Sequence, residues 1–520
     1  MGEGSVGRFE RWVVTGALVV GCALAGTSVC AGQAASAEKA PSTSQAPMTK
    51  EQAKELFRSV DEILGFVSSD TKLPIEHSVK RKLISRDEVT KYLTKKFDED
   101  ESVKRMQRAE LVLKKFGLLD RDFHLRPFML SLLTEQIAGF YDNKTKTVNL
   151  LDWIEPDEQK SVLAHELTHA LQDQKVNLTK WSDVSLNDTS HNAKDDNKHL
   201  LVDEAETARE AVAEGQAMAV FVDYTLKPTG RTIADVAPEQ MAKLKDATAD
   251  NGNSPVMARA PLLLQESLLF PYSDGLAFEH ALLTKGGKEA AFGGVLANPP
   301  SSSFEILHPE AYIAHAPVPV LRLPDIHPLI EAEYEPYDLG VMGELDVRIL
   351  AELFGGREMA SGLSPNWDGG IYYAAQRKGA TAAEKETTAS LGLLYESRWK
   401  NPDSAKTFMR IYAAQIPRKY SKVTRREKDE VDENEQVFST NEGDVLISIA
   451  GAKVFVSEGF ELPLARKLRD SIASVQSEGP LRLAVTGHEP AMSLAGIVRS
   501  FGIMRSAVPG RYTSEGRSTR

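Results

Sequence analysis

Cysteine is nearly absent from this chain. Its 520 residues include two, Cys22 and Cys30, both within the first thirty positions. The remainder therefore has no disulfide framework, no thiol nucleophile and no cysteine-ligated structural zinc. Any metal site must be built from His, Asp and Glu. A basic stripe is also missing, and the net charge is −12, which argues against a nucleic-acid partner. No internal repeat is found. What is present is an ordinary globular balance, 42% hydrophobic and 26% charged, long enough for two or more domains.

The N-terminus has the pattern of an export leader. Arg8 and Arg11 precede an apolar run, Trp12–Ala25, which gives way to small residues. Ala-x-Ala-like cleavage patterns end at Ala31 and at Ala37. Val19-Val20-Gly21-Cys22 resembles a lipoprotein box, which would put a lipid on Cys22. An uncleaved single-span anchor is the alternative, made less favourable by Gly, Thr and Ser within the run. The expected location is periplasmic, secreted or outer-surface, with membrane contact only through such an anchor or lipid. A chain cleaved after Ala31 or Ala37 keeps neither cysteine.

The chemistry is concentrated in Ser161–Gln174, SVLAHELTHALQDQ. His165 and His169 are four apart, one helical turn, so both imidazoles can reach one metal ion. Glu166 lies beside them, placed to take a proton from a metal-activated water. Val162, Leu163, Leu167 and Leu171 supply an apolar side. A buried helix with two satisfied histidines is the bland alternative. Farther on, Glu204–Leu226 reads as a long helix carrying Glu210, Glu214 and Gly215. A carboxylate facing a buried site needs a cation to offset its desolvation. Glu214 is the expected third ligand, and Glu210, one turn earlier, the expected hydrogen-bond partner of a ligand histidine. Gly215 would let a backbone or a substrate approach closely.

Around these two helices the elements read as follows. Glu38–Met48 is a linker. Thr49 with Gln52 forms a capping box that opens a helix, and Ser85 with Glu88 forms a second. A short strand is placed at Val79–Ile84 and a helix at Arg105–Phe116. Ile137–Tyr141 and Thr147–Leu151 flank the turn Asp142–Thr145 as a hairpin leading into the histidine helix. Its free edge would suit an extended peptide. Val176–Asp203 reads as a polar loop, with His191 and His199 as solvated histidines rather than spare ligands. Helices are expected at Pro238–Ala249, Pro261–Leu269, Gly343–Phe354, Thr387–Trp399, Ser404–Gln415 and Pro463–Val475. Strands are expected at Ile371–Gln376, Asp444–Ile449 and Lys453–Ser457. His308 and Tyr312 are candidate donors to a tetrahedral oxyanion, with loop packing as the alternative.

H-E-x-x-H on one helix with Glu214–Ala217 (E-G-Q-A) on another resembles the glutamate-zincin, or gluzincin, branch of zinc metallopeptidases. The wider stretch Thr134–Tyr420 is similar to exported bacterial proteins described as uncharacterised metallopeptidases. Its further matching pieces are LLFPYSDGLAFEHAL, SSSFEILHPEAYI and NWDGGIYYA. The pattern also departs from better-known relatives. Metzincins need glycine and histidine where this chain has Gln172 and Lys175, and thermolysin-like enzymes have aspartate where it has Met218. The aminopeptidases space their ligands more closely and carry a substrate-amine motif not found here.

The expected fold is α+β and predominantly helical. A zincin-like core would pack a short sheet on the histidine helix. The expected divisions are a leader (1–37), a linker (38–48), an N-terminal helical region (49–128), a metallopeptidase domain (129–430), a small αβ unit (431–478) and a disordered tail (479–520). The expected function is an exported zinc-dependent peptidase. Zn2+ would be held by His165, His169 and Glu214, with a position left for water, and Glu166 would be the general base. Its partner would be a peptide or protein substrate; oligomeric state is left open. The alternative is a non-catalytic exported zinc-binding protein, against which the presence of Glu166 argues.

Overall fold

The computed structural model describes residues 48–481 apart from 98–99, 183–189, 238–239 and 242–254. The leader, most of the linker, most of the helix read over Pro238–Ala249 and the tail from 482 lie outside the described residues. The fold is α+β and mainly helical. Ten described helices have twelve residues or more: α1 (Lys50–Thr71), α2 (Arg86–Phe97), α3 (Asp100–Phe116), α4 (Leu125–Gln136), α5 (Pro156–Val176), α6 (Ala205–Leu226), α7 (Leu262–Lys288), α8 (Glu344–Gly355), α9 (Pro402–Lys419) and α10 (Leu462–Val475). None of the described helices is long and apolar enough to cross a membrane.

A three-stranded sheet in the order β1-β3-β2 supports the histidine helix, with β1 Lys80–Ile84, β2 Phe140–Asp142 and β3 Thr147–Leu151. β1 runs parallel to β3, and β2 closes the expected hairpin antiparallel to it. β2 begins three residues later than the sequence suggests, because a bend at Ala138 separates it from α4. One buried side chain fixes the sheet to α5. Gln159 Oε1 accepts from the Leu151 N–H at 3.0 Å, and its Nε2 donates to the carbonyls of Leu151 and Ile154. Both capping boxes are present. Thr49 and Gln52 exchange bonds at the start of α1, and Ser85 and Glu88 at the start of α2.

The second sheet is seven-stranded and antiparallel. Its strands are β4 Tyr334–Val341, β5 Trp367–Arg377, β6 Leu391–Trp399, β7 Val423–Arg425, β8 Glu435–Thr440, β9 Gly443–Ala450 and β10 Lys453–Glu458. They lie in the order β4-β5-β6-β10-β9-β8-β7. The stretch 431–478 thus supplies three strands to the sheet that also holds β4–β6. The link is β6, hydrogen-bonded to β5 on one side and β10 on the other.

β6 corrects a sequence expectation, since Thr387–Trp399 read as a helix. Eight of its nine residues are buried, so both faces are covered and the period-two alternation that marks a strand is erased. A second correction concerns α7, which runs on through Pro271 instead of ending before it. Proline removes one intrahelical hydrogen bond; buried Phe270 and Leu276 and the contact of Gly275 with α6 hold the helix on line. Phe116 of α3 meets Tyr372 and Tyr395 of the large sheet edge-on, so the N-terminal helices share that sheet's core.

Candidate metal centre

α5 begins with Pro156 at its first turn and presents His165 and His169 on the face that meets α6. Their Nε2 atoms are 3.1 Å apart. Glu214 of α6 brings Oε2 to 3.1 Å from His165 Nε2 and 3.5 Å from His169 Nε2. Among the described residues this is the one group of three or more such side chains whose ligand atoms converge. Two imidazoles and a carboxylate are the donors that Zn2+ takes at about 2.0–2.1 Å, and tetrahedral donors at that range stand about 3.3 Å from one another. The three observed edges straddle that value, so the residues fit a zinc ion. Glu214, the expected third ligand, is a carboxylate that the structure brings to both histidines.

The histidines and the glutamate are electrostatically coupled. Burial works against a charge on His169, yet the Glu214 carboxylate overrides it and carries its pKa up to about 9. Burial likewise works to raise Glu214, and the two histidines override it and hold its carboxyl well below the usual range. His169 and Glu214 are fully enclosed, and His165 keeps 6% of its surface.

The orientation of His169 follows from a chain of amides. Gln216 Nε2 faces the carbonyls of Ala291 (2.8 Å) and Phe292 (3.1 Å), which can only accept, so its Oε1 points the other way. Gln172 Nε2 donates to that Oε1 at 2.8 Å and to the Ala213 carbonyl at 3.0 Å. Gln172 Oε1 is left to face His169 Nδ1 at 2.8 Å, so Nδ1 carries the proton and donates it. Nε2 is then the nitrogen turned toward Glu214 and His165, the one a metal would take in place of a proton.

Glu166 is fixed from the sheet. The Tyr141 N–H donates to its Oε2 at 2.8 Å. The Tyr141 hydroxyl donates to Asp173 two turns along α5, also at 2.8 Å, and Lys146 pairs with the same carboxylate. Gly139, just before β2, is where a side chain would press on Val162 and approach Glu166. The outward N–H of the β2 edge that a peptide strand would use at Tyr141 is thus already engaged by Glu166.

The two proposed oxyanion donors are occupied elsewhere. His308 pairs through Nε2 with Glu344 at 2.7 Å, and that hydrogen bond raises its pKa. The Tyr312 hydroxyl donates to the Asn298 carbonyl at 2.6 Å. The tyrosine whose ring faces a candidate ligand is Tyr272 of α7, half-buried, its ring nearly parallel to that of His165 at 6.3 Å between centroids. Nor is His199 a solvated loop residue. It is buried and paired with Asp203 at 3.3 Å, in a short helix, Ala193–Leu200, within the stretch read as a loop.

Gln172, Gln216, Tyr141 and Tyr272 all escaped the sequence reading. Gln172, three residues after His169 on the same helix, carried a usable signal, because i,i+3 side chains meet. The others are brought in by tertiary contacts. No family model, no curated protein and no solved structure matches this chain.

Proposed function

We propose that this protein is a zinc-dependent peptidase with a zincin-like core, exported by its N-terminal leader. The observation that carries the reading is the placing of Glu166. A structural zinc site has no use for a carboxylate beside its ligands, yet Glu166 is held there by the Tyr141 N–H. When bound, Zn2+ supplies Lewis acidity, which lowers the pKa of water and polarises a carbonyl. His165, His169 and Glu214 would hold it, and three protein ligands are the number that catalytic zinc sites use. Glu166 takes a proton from the attacking water and returns it to the departing amine nitrogen. Its hydrogen bond to a strand keeps the carboxylate aimed while the proton moves. Tyr272, beside His165, replaces His308 and Tyr312 as the candidate donor to the developing oxyanion.

The test is cleavage of a peptide library by purified protein, with and without chelator, alongside Glu166→Gln. Glutamine keeps the shape and can still accept the Tyr141 N–H, but it cannot take a proton. Zinc should stay at wild-type stoichiometry in Glu166→Gln while hydrolysis falls by about 100-fold or more. A wild-type protein that binds zinc and cleaves nothing would favour the non-catalytic zinc-binding protein instead.

A further inference from the structure

The amide chain from His169 reaches beyond the metal centre. Its far end is a rare element, the π-helical turn Glu289–Gly294, whose Ala291 and Phe292 are buried. Gly286 and Gly287 precede the turn, and Gly293 and Gly294 end it. Gly287 has φ of 69°, a left-handed conformation open chiefly to glycine, and there the chain kinks out of α7. The next residue, Lys288, is anchored to Asp70 of α1. The turn is therefore a short glycine-bounded piece, held at one end by an ion pair and in its middle by Gln216.

We propose that Gln172 and Gln216 form a positioning relay that couples zinc affinity at His165, His169 and Glu214 to the conformation of the turn Glu289–Gly294. The inference rests on the metal-centre reading and adds a means of regulating it. Gln216 uses both amide hydrogens on the turn's carbonyls, and Gln172 uses both of its own on Ala213 and Gln216. Each glutamine has one orientation that satisfies its neighbours. Withdrawing the turn removes the reason for Gln216 to face that way. Gln172 then keeps only the Ala213 carbonyl to hold its amide in place. Turning that amide takes Oε1 away from His169 Nδ1 and releases the ring whose Nε2 faces His165 and Glu214. Coupling is reciprocal, so zinc held at Nε2 must in turn steady the turn.

The experiment uses the full-length protein and zinc alone. Zinc affinity is measured by chelator competition, amide hydrogen exchange at 289–294 with and without zinc, and the His169 Nδ1–H resonance by NMR of 15N-histidine-labelled protein. In wild type the Nδ1–H resonance should be present in both states, and zinc should slow exchange across the turn. Gln172→Leu and Gln216→Leu should each weaken zinc binding by about 10–100-fold and abolish the zinc-dependent slowing. Gln172→Glu keeps the acceptor for Nδ1 but loses both donors, so it should restore zinc binding without restoring protection of the turn. Zinc affinities within about twofold of wild type in both leucine variants would overturn the relay, since lost partners of this kind weaken binding about 10–100-fold. Exchange in the turn indifferent to zinc would overturn it too, and that arm needs wild type alone should the variants not fold. A wild-type protein that binds no zinc refutes the metal-centre reading and the coupling with it; the Nδ1–H resonance of the metal-free protein then still shows whether the amide chain exists.

Discussion

Gly215 of α6 and Gly275 of α7 meet backbone to backbone. A Cβ added to Gly215 would lie 2.2 Å from the Gly275 carbonyl oxygen, and one added to Gly275 would lie 2.3 Å from the carbonyl of Ala211. The space beside Glu214 is therefore filled by another helix, not by substrate or solvent. This contact sets the depth at which α6 sits, and hence where Glu214 reaches the histidines.

Gly215→Ala should cost about 1–3 kcal/mol, because neither backbone can yield without shifting a whole helix. Zinc content should fall as Glu214 is displaced. Gly65→Ala is the control: Gly65 lies exposed in α1, with nothing near its missing Cβ. That change should stabilise by about 0.5–1 kcal/mol through helix propensity. Urea unfolding of both variants checks the contrast, and equal effects would refute the packing argument.

The choice between Glu214 and Glu210 can be measured directly. Glu214→Ala removes one of three ligands and should empty the site. Glu210→Ala leaves all three ligands in place and should lose about 10–100-fold in affinity at most. Stoichiometric zinc in Glu214→Ala, determined by elemental analysis after dialysis, would show that the observed triangle does not bind metal.

Glu396 on β6 gives a pH dependence unconnected with the metal. Burial pushes its carboxyl up to about 8, only partly opposed by Lys453. The folded state thus keeps a proton that the unfolded chain releases near the ordinary glutamate range. Its effect is absent at low pH, grows as pH rises toward about 8 and is constant above. Glu396→Gln should leave stability near pH 4 unchanged and gain on wild type by up to about 1.4 kcal/mol per pH unit between there and pH 8. Denaturant midpoints at several pH values check the slope; parallel curves would contradict it.

The N-terminal helices are part of the folded body. Lys115 is fully buried, pairs with Glu442 at 3.2 Å and donates to the Thr388 carbonyl, while Arg121 holds the same glutamate at 2.8 Å. Lys115→Met leaves Glu442 with Arg121 and the Thr388 hydroxyl and should destabilise by about 3 kcal/mol, the low end for a broken buried pair. Removal of residues 49–128 should unfold the protein, since β1 and the Phe116 contacts go with them. A truncated chain that keeps a cooperative unfolding transition would mark this region as a removable pro-segment instead.

Local rules made much of this legible. The two capping boxes, the hairpin around Asp142–Thr145 and the helices α5, α6, α8 and α10 rest on spacing within a few residues, and the structure agrees. The readings that failed depended on what lies across the chain. β6 lost its strand signature because partners cover both faces, and Pro271 was overruled by packing on α6. His199 looked solvated from its polar neighbours, yet it folds inward against Asp203.

The sequence by itself determined which side chains can hold a metal. A spacing of four between two histidines is about one turn of an α-helix, and a chain with cysteine only at Cys22 and Cys30 leaves His and carboxylate as donors. Tertiary structure decided how those donors are aimed. The proton on His169 is set by Gln172, 44 residues from its partner Gln216, which is in turn 75 residues from Ala291. Glu166 is set by a backbone N–H 25 residues away. A hydrogen bond fixes direction only when both ends are anchored, and those anchors come together only when the sheet and three helices have packed.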